Sequence, residues 1–210
     1  MSNFCAELHA LANELKIFTF PYNPQEIPLN GIYILFEKGE QAHSTHRIVG
    51  IGTHTGNDNL SKRLIEHFLT ENKNRSILRQ HLGRVFLTKE NDSYFPVWND
   101  NTTSPKSKYF RRVDKQKENE VEKRVSNYIQ ENLSFAVFAV EDEIARSILV
   151  KKMISTVASC EYCKPSPNWL GNNSPNKTIR NYGLWQIQHV KKFYPLSEQD
   201  MQFLRQAGIK

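Results

Sequence analysis

Short apolar runs separated by polar segments predict a small β-sheet. The runs at 31–36 and 47–51 are joined by polar residues around Gly39, which predicts an antiparallel hairpin with a connection at 37–46. Residues 134–140 (SFAVFAV) are almost continuously apolar, which is typical of a central strand buried on both faces. We therefore expect three core strands in a small antiparallel or mixed sheet.

Apolar residues at helical spacing predict that this sheet is flanked by helices, which gives an α+β fold. The predicted helices cover residues 4–17, 60–69, 75–88, 114–131, 141–159 and 197–205. Residues 90–108 are rich in Asn, Asp, Ser, Thr and Pro, and we expect a long insertion loop there.

The length of 210 residues favours one main domain with extensions. We predict an N-terminal helix and a proline-containing lead-in over residues 1–30. The main domain covers 31–194, with an insertion at about 90–113, and a terminal helix covers 195–210.

Positive charge is concentrated in two parts of the chain, which has a net charge of +6 and a pI of about 9.2. Residues 61–90 contain seven Lys or Arg against three Asp or Glu, and residues 106–124 contain eight against four. One such run is usually a solvated helix face, but two runs in a basic chain favour a nucleic-acid partner. We predict DNA contacts from Arg75, Arg79, Arg111 and Arg112.

The three cysteines do not form an even disulfide framework, which favours free thiols in a reducing compartment. Cys160 and Cys163 have the spacing of half a zinc knuckle, but no second Cys or His pair lies nearby in sequence, so we expect them to be unliganded. No apolar run is long enough to cross a bilayer, and residues 1–16 lack the features of a signal peptide. We therefore expect a cytoplasmic protein without membrane contact.

The stretch from Gly31 to His67 contains the chemistry that the rest of the chain does not offer. Tyr33 lies on the first predicted strand, and Arg63 and His67 lie one helical turn apart on the following helix, hence on one face. A phenol, a guanidinium and an imidazole that converge are suited to cutting a phosphodiester.

Three short motifs in this stretch resemble those of the GIY-YIG nuclease superfamily: Gly31-Ile32-Tyr33, Gly50-Ile51-Gly52 and Lys62-Arg63-Leu64. Further segments are similar to its restriction-endonuclease-like branch, namely 47–54, Arg63-x-x-x-His67, 74–84, 169–171 and 183–185. The resemblance covers roughly Gly31 to His189. Each motif is weak alone, but their order and spacing are specific together.

The resemblance implies an endonuclease that hydrolyses double-stranded DNA with one divalent metal ion, Mg²⁺. It implies that Tyr33 activates the attacking water and that Arg63 binds the scissile phosphate, for which a planar guanidinium is well suited. A free phenol has a pKa of about 10, so Tyr33 needs a neighbour that accepts or stabilises its proton, and His67 can do this. Cutting both strands of a palindromic site would require a homodimer.

The chain departs from the family pattern at two places. Gly50 stands where the second-motif tyrosine would fall, and His54 or Lys62 could supply the missing polar group. The glutamate that the family uses as metal ligand is expected at the position of Val150, and valine cannot coordinate Mg²⁺.

Three explanations of Val150 remain open. The register is shifted and Glu143 is the ligand; the glutamate has been replaced, which leaves a protein that binds DNA without cutting it; or another carboxylate, such as Glu161, reaches the site. The family also has a late asparagine beside its active site. The candidates for it are Asn168, Asn172, Asn173 and Gln186.

Overall fold

A four-stranded antiparallel sheet organises the computed structural model, which describes residues 4–101, 104–110 and 113–208. The strands are β1 (Phe18–Thr19), β2 (Gly31–Ala42), β3 (Thr45–Thr53) and β4 (Leu133–Ala139), in the order β1-β4-β2-β3. The predicted α+β fold and its antiparallel hairpin are confirmed. The central position predicted for the apolar run at 134–140 is also confirmed, because β4 pairs with both β1 and β2.

Helices flank the sheet as predicted. They are α1 (Phe4–Glu14), α2 (Leu60–Phe68), α3 (Ile77–Lys89), α4 (Phe95–Asn99), α5 (Lys115–Asn132), α6 (Glu143–Ala158), α7 (Lys177–Tyr182) and α8 (Glu198–Ala207), with short 3₁₀ turns at Pro24–Glu26 and Leu170–Asn173. Side-chain oxygens of Ser76, Asp114 and Asp142 accept backbone N–H bonds at the starts of α3, α5 and α6, which stabilises those helix ends. None of the described helices is long and apolar enough to cross a membrane.

Alternating side chains of β2 divide the core between the two faces of the sheet. Ile32, Ile34 and Phe36 pack with residues of α1, α6 and α8. Tyr33 and Leu35 pack on the other face with residues of α2, α3 and α5. The terminal helices thus share a core with the sheet, and the catalytic candidate on β2 belongs to the opposite face.

Strand β2 extends to Ala42, beyond the apolar run at 31–36 that predicted it. Its second half contains a buried carboxylate where a strand pattern would show an apolar residue. Glu37 is only 4% exposed and accepts bonds from the indole nitrogens of Trp169 and Trp185, at 2.9 and 2.7 Å, and from the Tyr128 hydroxyl. Burial raises the pKa of Glu37 above its usual range. The polar segment predicted as a hairpin connection is therefore mostly strand.

A second buried carboxylate completes this extension of the hairpin. Glu40 forms an ion pair with Arg47 of β3, whose guanidinium is fully buried and also donates to the carbonyl of Gly183 at 2.6 Å. Strand pairing continues to Ala42 and Thr45, so the turn itself is only two residues long.

The insertion predicted as a loop contains the short helix α4. Trp98 in this helix is buried against α3, where its indole donates to the carbonyl of Gln80 at 3.1 Å. A Cβ atom at Gly83 would lie 2.2 Å from the Trp98 ring, so the glycine makes room for the indole. The loop prediction failed here because one aromatic anchor docks an otherwise polar segment.

Candidate active site

Tyr33 is placed by a close approach between the two strands of the hairpin. It pairs with Gly52 of β3, and a Cβ at position 52 would lie 2.3 Å from the Tyr33 hydroxyl oxygen. The phenol ring therefore crosses the space that a side chain at 52 would fill. This explains why the second motif needs glycine at this position.

The Tyr33 hydroxyl lies within hydrogen-bond distance of the His67 imidazole, the neighbour predicted for it from the sequence. Tyr33 Oη lies 2.8 Å from His67 Nε2, and His67 Nδ1 lies 2.6 Å from Ser76 Oγ. Ser76 Oγ also accepts the backbone N–H of Arg79 at 3.2 Å, as the N-cap of α3. Ser76 was not among the predicted site residues; its only signal in the sequence is a serine near the start of a predicted helix.

Burial and charge set the protonation of this pair. Burial raises the pKa of Tyr33, and the Arg63 guanidinium nearby opposes that rise. Burial, followed by the positive charges of Arg63 and Arg79, holds the pKa of His67 well below its usual value. His67 is therefore a neutral imidazole at pH 7, with one nitrogen that donates and one that accepts.

Arg63 is held beside Tyr33 by the segment that leads into α3. Its Nη1 donates to the carbonyl of Arg75 at 2.7 Å and to Glu66 at 3.0 Å, while Glu66 also pairs with the Arg75 guanidinium at 2.7 Å. About a quarter of the Arg63 side chain is exposed. The guanidinium is thus fixed on one side and open on the other.

Two neighbouring cavities share Arg63 and Thr53. The first has a volume of about 450 Å³, and its lining includes Tyr33, Gly52, Ile77, Ser147, Val150, Lys151, Ile154, Gln186 and His189. The second has a volume of about 400 Å³ and is more polar, with His54, Asn59, Lys62, Glu66 and Arg75 in its lining. We call them the Tyr33 cavity and the Lys62 cavity.

The two supporting candidates both lie in the Lys62 cavity. His54 is buried, and its Nε2 accepts the backbone N–H of Gly31 at 3.3 Å, which links the start of β2 to the end of β3. Lys62 is exposed. Neither lines the cavity that contains Tyr33, and both lie next to Arg63.

The residues around Tyr33 do not fit a Mg²⁺ ion held by protein carboxylates. Val150 lines the Tyr33 cavity, as the predicted register requires, but none of the described residues that line it is Asp or Glu. Glu143 lies outside this lining, and its carboxylate accepts the N–H of Gly56 at 2.8 Å. Glu161 is exposed and also lies outside it. Mg²⁺ prefers hard oxygen ligands, which this wall does not provide.

One of the four amide candidates lies in the Tyr33 cavity. Gln186 lines it, and its side-chain oxygen accepts the backbone N–H of Ile51 at 2.8 Å. Asn172 and Asn173 instead donate to carbonyls of their own loop, and Asn168 does not line the cavity.

The predicted DNA-contact arginines have different environments. Arg75 is 57% exposed and lines the Lys62 cavity. Arg79 is fully buried, where it pairs with Glu122 at 2.7 Å and donates to the His67 carbonyl at 3.1 Å. Its prediction as a DNA contact is corrected accordingly, because its guanidinium is used inside the protein. Arg111 and Arg112 lie outside the described residues.

Comparison with protein-family models gives one match, a GIY-YIG domain that covers residues 3–207. This match covers nearly the whole chain, including α1, the hairpin, α6 and α8. Searches of curated proteins and of solved structures gave no match.

Proposed function

Because the chain belongs to the GIY-YIG domain family, we propose that it is a DNA endonuclease that hydrolyses phosphodiester bonds of double-stranded DNA in the manner of a restriction enzyme. The observation that carries this proposal is the 2.8 Å contact between Tyr33 Oη and His67 Nε2 on the wall of a cavity that Arg63 shares. Family membership supports a nuclease; the substrate and the roles of individual residues are our proposal.

In this proposal Tyr33 activates the attacking water. The phenol takes a proton from water as it passes its own proton to His67 Nε2, and Ser76 accepts a hydrogen bond from Nδ1 so that Nε2 is left as the acceptor. Burial and two arginines oppose a charged His67 in the free protein. A bound phosphate on Arg63 supplies the negative charge that offsets this opposition.

Arg63 binds the scissile phosphate. Its guanidinium is planar and permanently charged, and it is already oriented by the Arg75 carbonyl and Glu66. A preoriented donor stabilises the charge that develops on the phosphate as the water oxygen attacks phosphorus. The bond from phosphorus to the leaving sugar oxygen then breaks, that oxygen takes a proton from the solvent, and His67 returns its extra proton to the solvent. No step of this scheme is assigned to a metal ion, since the lining of the Tyr33 cavity contains no Asp or Glu among residues 4–101, 104–110 and 113–208.

Cations at the edges of the two cavities would contact the DNA backbone. Lys62 and Lys151 are exposed, and Arg75 is more than half exposed. Arg111 and Arg112 remain proposed contacts. Each phosphate neutralised releases counterions, so binding should weaken steeply with salt. A homodimer for a palindromic site remains a prediction, which light scattering with and without DNA would test.

A second function is favoured by a specific observation. Val150 and Ile154 occupy the wall where the family resemblance places a metal ligand. In this reading the chain is a DNA-binding protein that keeps the nuclease fold and does not cut. The two readings share the fold, the cations and Arg63, and they differ only in turnover.

Incubation of the purified protein with plasmid DNA separates the two readings. Reactions would contain Mg²⁺, Mn²⁺ or EDTA, and Tyr33→Phe and Arg63→Ala would be compared with Tyr182→Phe, a tyrosine of α7 that lines neither cavity. Nicks or discrete fragments that are lost in the first two variants and kept in the control support the endonuclease. Intact plasmid in every condition, together with salt-sensitive DNA binding, favours the silent binder. Absence of binding at low salt contradicts both.

A further inference from the structure

All three cysteines of the chain meet one histidine at a point remote from the active site. Cys5 Sγ lies 3.3 Å from Cys163 Sγ, and His43 Nε2 lies 3.4 Å from the sulfurs of both Cys160 and Cys163. All four ligand atoms lie within 4.8 Å of one another. The residues come from α1, from the β2–β3 turn and from the segment after α6, so only the folded chain brings them together.

The spacing of these four atoms matches that of a tetrahedral metal site. Zinc binds thiolate sulfur at about 2.3 Å and imidazole nitrogen at about 2.0 Å, so sulfurs around one zinc ion lie roughly 3.8 Å apart. The Cys5–Cys163 sulfur separation of 3.3 Å is within about half an ångström of that value, and the two nitrogen–sulfur separations of 3.4 Å are close to the roughly 3.5 Å that the same bond lengths give. Small side-chain movements are enough to admit an ion.

The histidines nearby show which one serves as the fourth ligand. His9 Nδ1 donates to the carbonyl of Cys5 at 2.9 Å, and its Nε2 accepts the N–H of Ile48 at 3.2 Å. Both nitrogens of His9 are therefore used by the backbone. His43 instead directs Nε2 at two sulfurs, and its ring packs edge-on against His9 at 5.0 Å between centroids.

The backbone at two ligand positions is shaped for this arrangement. His43 and Ser44 form the two-residue β2–β3 turn with φ values of 52° and 61°, a geometry that usually selects Asn-Gly. A histidine in this left-handed region has a conformational cost that a ligand role would explain. Cys160 and Cys163 form a tight turn in which the Cys163 N–H donates to the Cys160 carbonyl at 3.4 Å.

We propose that Cys5, His43, Cys160 and Cys163 bind one Zn²⁺ ion in a closed, structural site. Three thiolates and one imidazole suit zinc, and four protein ligands leave no open position for catalysis. The sequence pattern shows no partner near the Cys160-x-x-Cys163 pair, and the fold brings His43 and Cys5 to it from 117 and 158 residues away.

The site fastens the part of the fold that carries the wall of the Tyr33 cavity. Cys160 and Cys163 directly follow α6, which contributes Val150 and Ile154 to that wall. Cys5 and Cys163 belong to the core on the face of the sheet opposite Tyr33. Zinc binding is coupled to folding because the cage does not exist in the unfolded chain.

Metal analysis of the full chain tests the proposal. Protein purified under reducing conditions should contain one zinc per chain, and zinc removal with a chelator should lower the melting temperature. Replacement by Co²⁺ should give the visible absorption of a tetrahedral site with a thiolate charge-transfer band, a readout that needs no variant. His43→Ala and Cys160→Ser should lose the bound zinc, while His46→Ala, an exposed histidine of the same hairpin, should keep it.

Two results would overturn the zinc site. One is reduced, metal-free protein that binds neither Zn²⁺ nor Co²⁺ while it stays folded by circular dichroism. The other is an intact mass lower by two hydrogens in protein purified without reductant, which would show that two of the three cysteines form a disulfide instead of binding a metal. Neither result bears on DNA cleavage, so this test is independent of the proposed function.

Discussion

The two walls of the Tyr33 cavity differ in how their residues are tied to the fold. On the wall formed by β2, α2 and α3, Tyr33 bonds His67, His67 bonds Ser76, and Ser76 caps α3. On the α6 wall, Val150 and Ile154 belong to an apolar core cluster, and their side chains have no hydrogen-bonding atom. A change in the first wall breaks hydrogen bonds and a helix cap, whereas a change at 150 alters apolar packing and breaks no hydrogen bond. Under the proposed function, this difference would explain how the chain keeps Tyr33, Arg63 and His67 while Val150 stands at the position expected for a carboxylate.

Loss of the Tyr33 hydroxyl should have the largest effect on this comparison. Tyr33→Phe keeps the ring over Gly52 but removes the group that contacts water and His67, so we expect cleavage to fall by about 10²–10⁴-fold. Single-turnover assays on plasmid would measure this loss, and gel shifts would check that DNA affinity is unchanged. An equal loss of affinity would mean that Tyr33 acts in binding.

Val150→Glu should make the two walls alike. Without metal, a carboxylate in this apolar wall should destabilise the fold by about 1–3 kcal/mol. Mg²⁺ should then raise the melting temperature of the variant and not that of the parent chain, because a ligand stabilises only the state that binds it. Val150→Gln is the matched control, with a similar shape and no charge. A variant whose stability ignores Mg²⁺ would show that position 150 is not at a metal site.

Acid should weaken the fold through its buried histidines. Burial holds the pKa of His67 well below its usual value and lowers that of His81 to about 3. Below about pH 6.5 these histidines bind a proton in the unfolded chain but stay neutral in the folded chain. The free energy of unfolding therefore falls by up to roughly 1.4 kcal/mol per pH unit for each such histidine. Urea unfolding between pH 8 and 5 would show a plateau followed by a decline. A flat profile across this range would contradict neutral, buried imidazoles.

Ser76→Ala tests whether Ser76 acts only as the N-cap of α3 or also supports the active site through its contact with His67. Loss of the cap should cost about 1 kcal/mol of stability. Asp114→Ala removes a comparable cap from α5 and serves as the control. Cleavage should decrease only in the Ser76 variant, and Ser76→Thr should restore it, because the threonine hydroxyl can still bond His67 Nδ1. Equal activity in both alanine variants would show that Ser76 acts only as the N-cap of α3.

Local motifs predicted the parts of the molecule that lie close in sequence. Arg63 and His67 share one helical turn, and the β2–β3 hairpin directly before that helix carries Tyr33, so spacing was enough to group them. The second half of β2 was missed because Glu37 and Glu40 look like solvent-exposed residues until the indoles and Arg47 that bury them are known. Composition alone cannot reveal partners that lie far along the chain.

Arg79 and the cysteine cluster illustrate the same limit. Arg79 belongs to a basic run and was predicted to contact DNA, but its guanidinium is buried in an ion pair with Glu122 on α5. Cys5 and His43 carry no local signal for a metal, and their meeting depends on how α1 and the hairpin turn pack beside α6. Such contacts follow from tertiary packing.

The β2–β3 hairpin also connects the proposed zinc site to Tyr33, so a metal ion at one end could be used to measure distances to the other. Tyr33 lies opposite Gly52, and Ala42, next to His43, lies opposite Thr45, so about seven residues of β3, or roughly 23 Å, separate the catalytic candidate from the cysteine cluster. A cobalt ion bound in that cluster would be a paramagnetic reference point at the turn end of the β2–β3 hairpin. The nuclear magnetic resonance shifts it induces could then report the position of a bound DNA duplex relative to Tyr33.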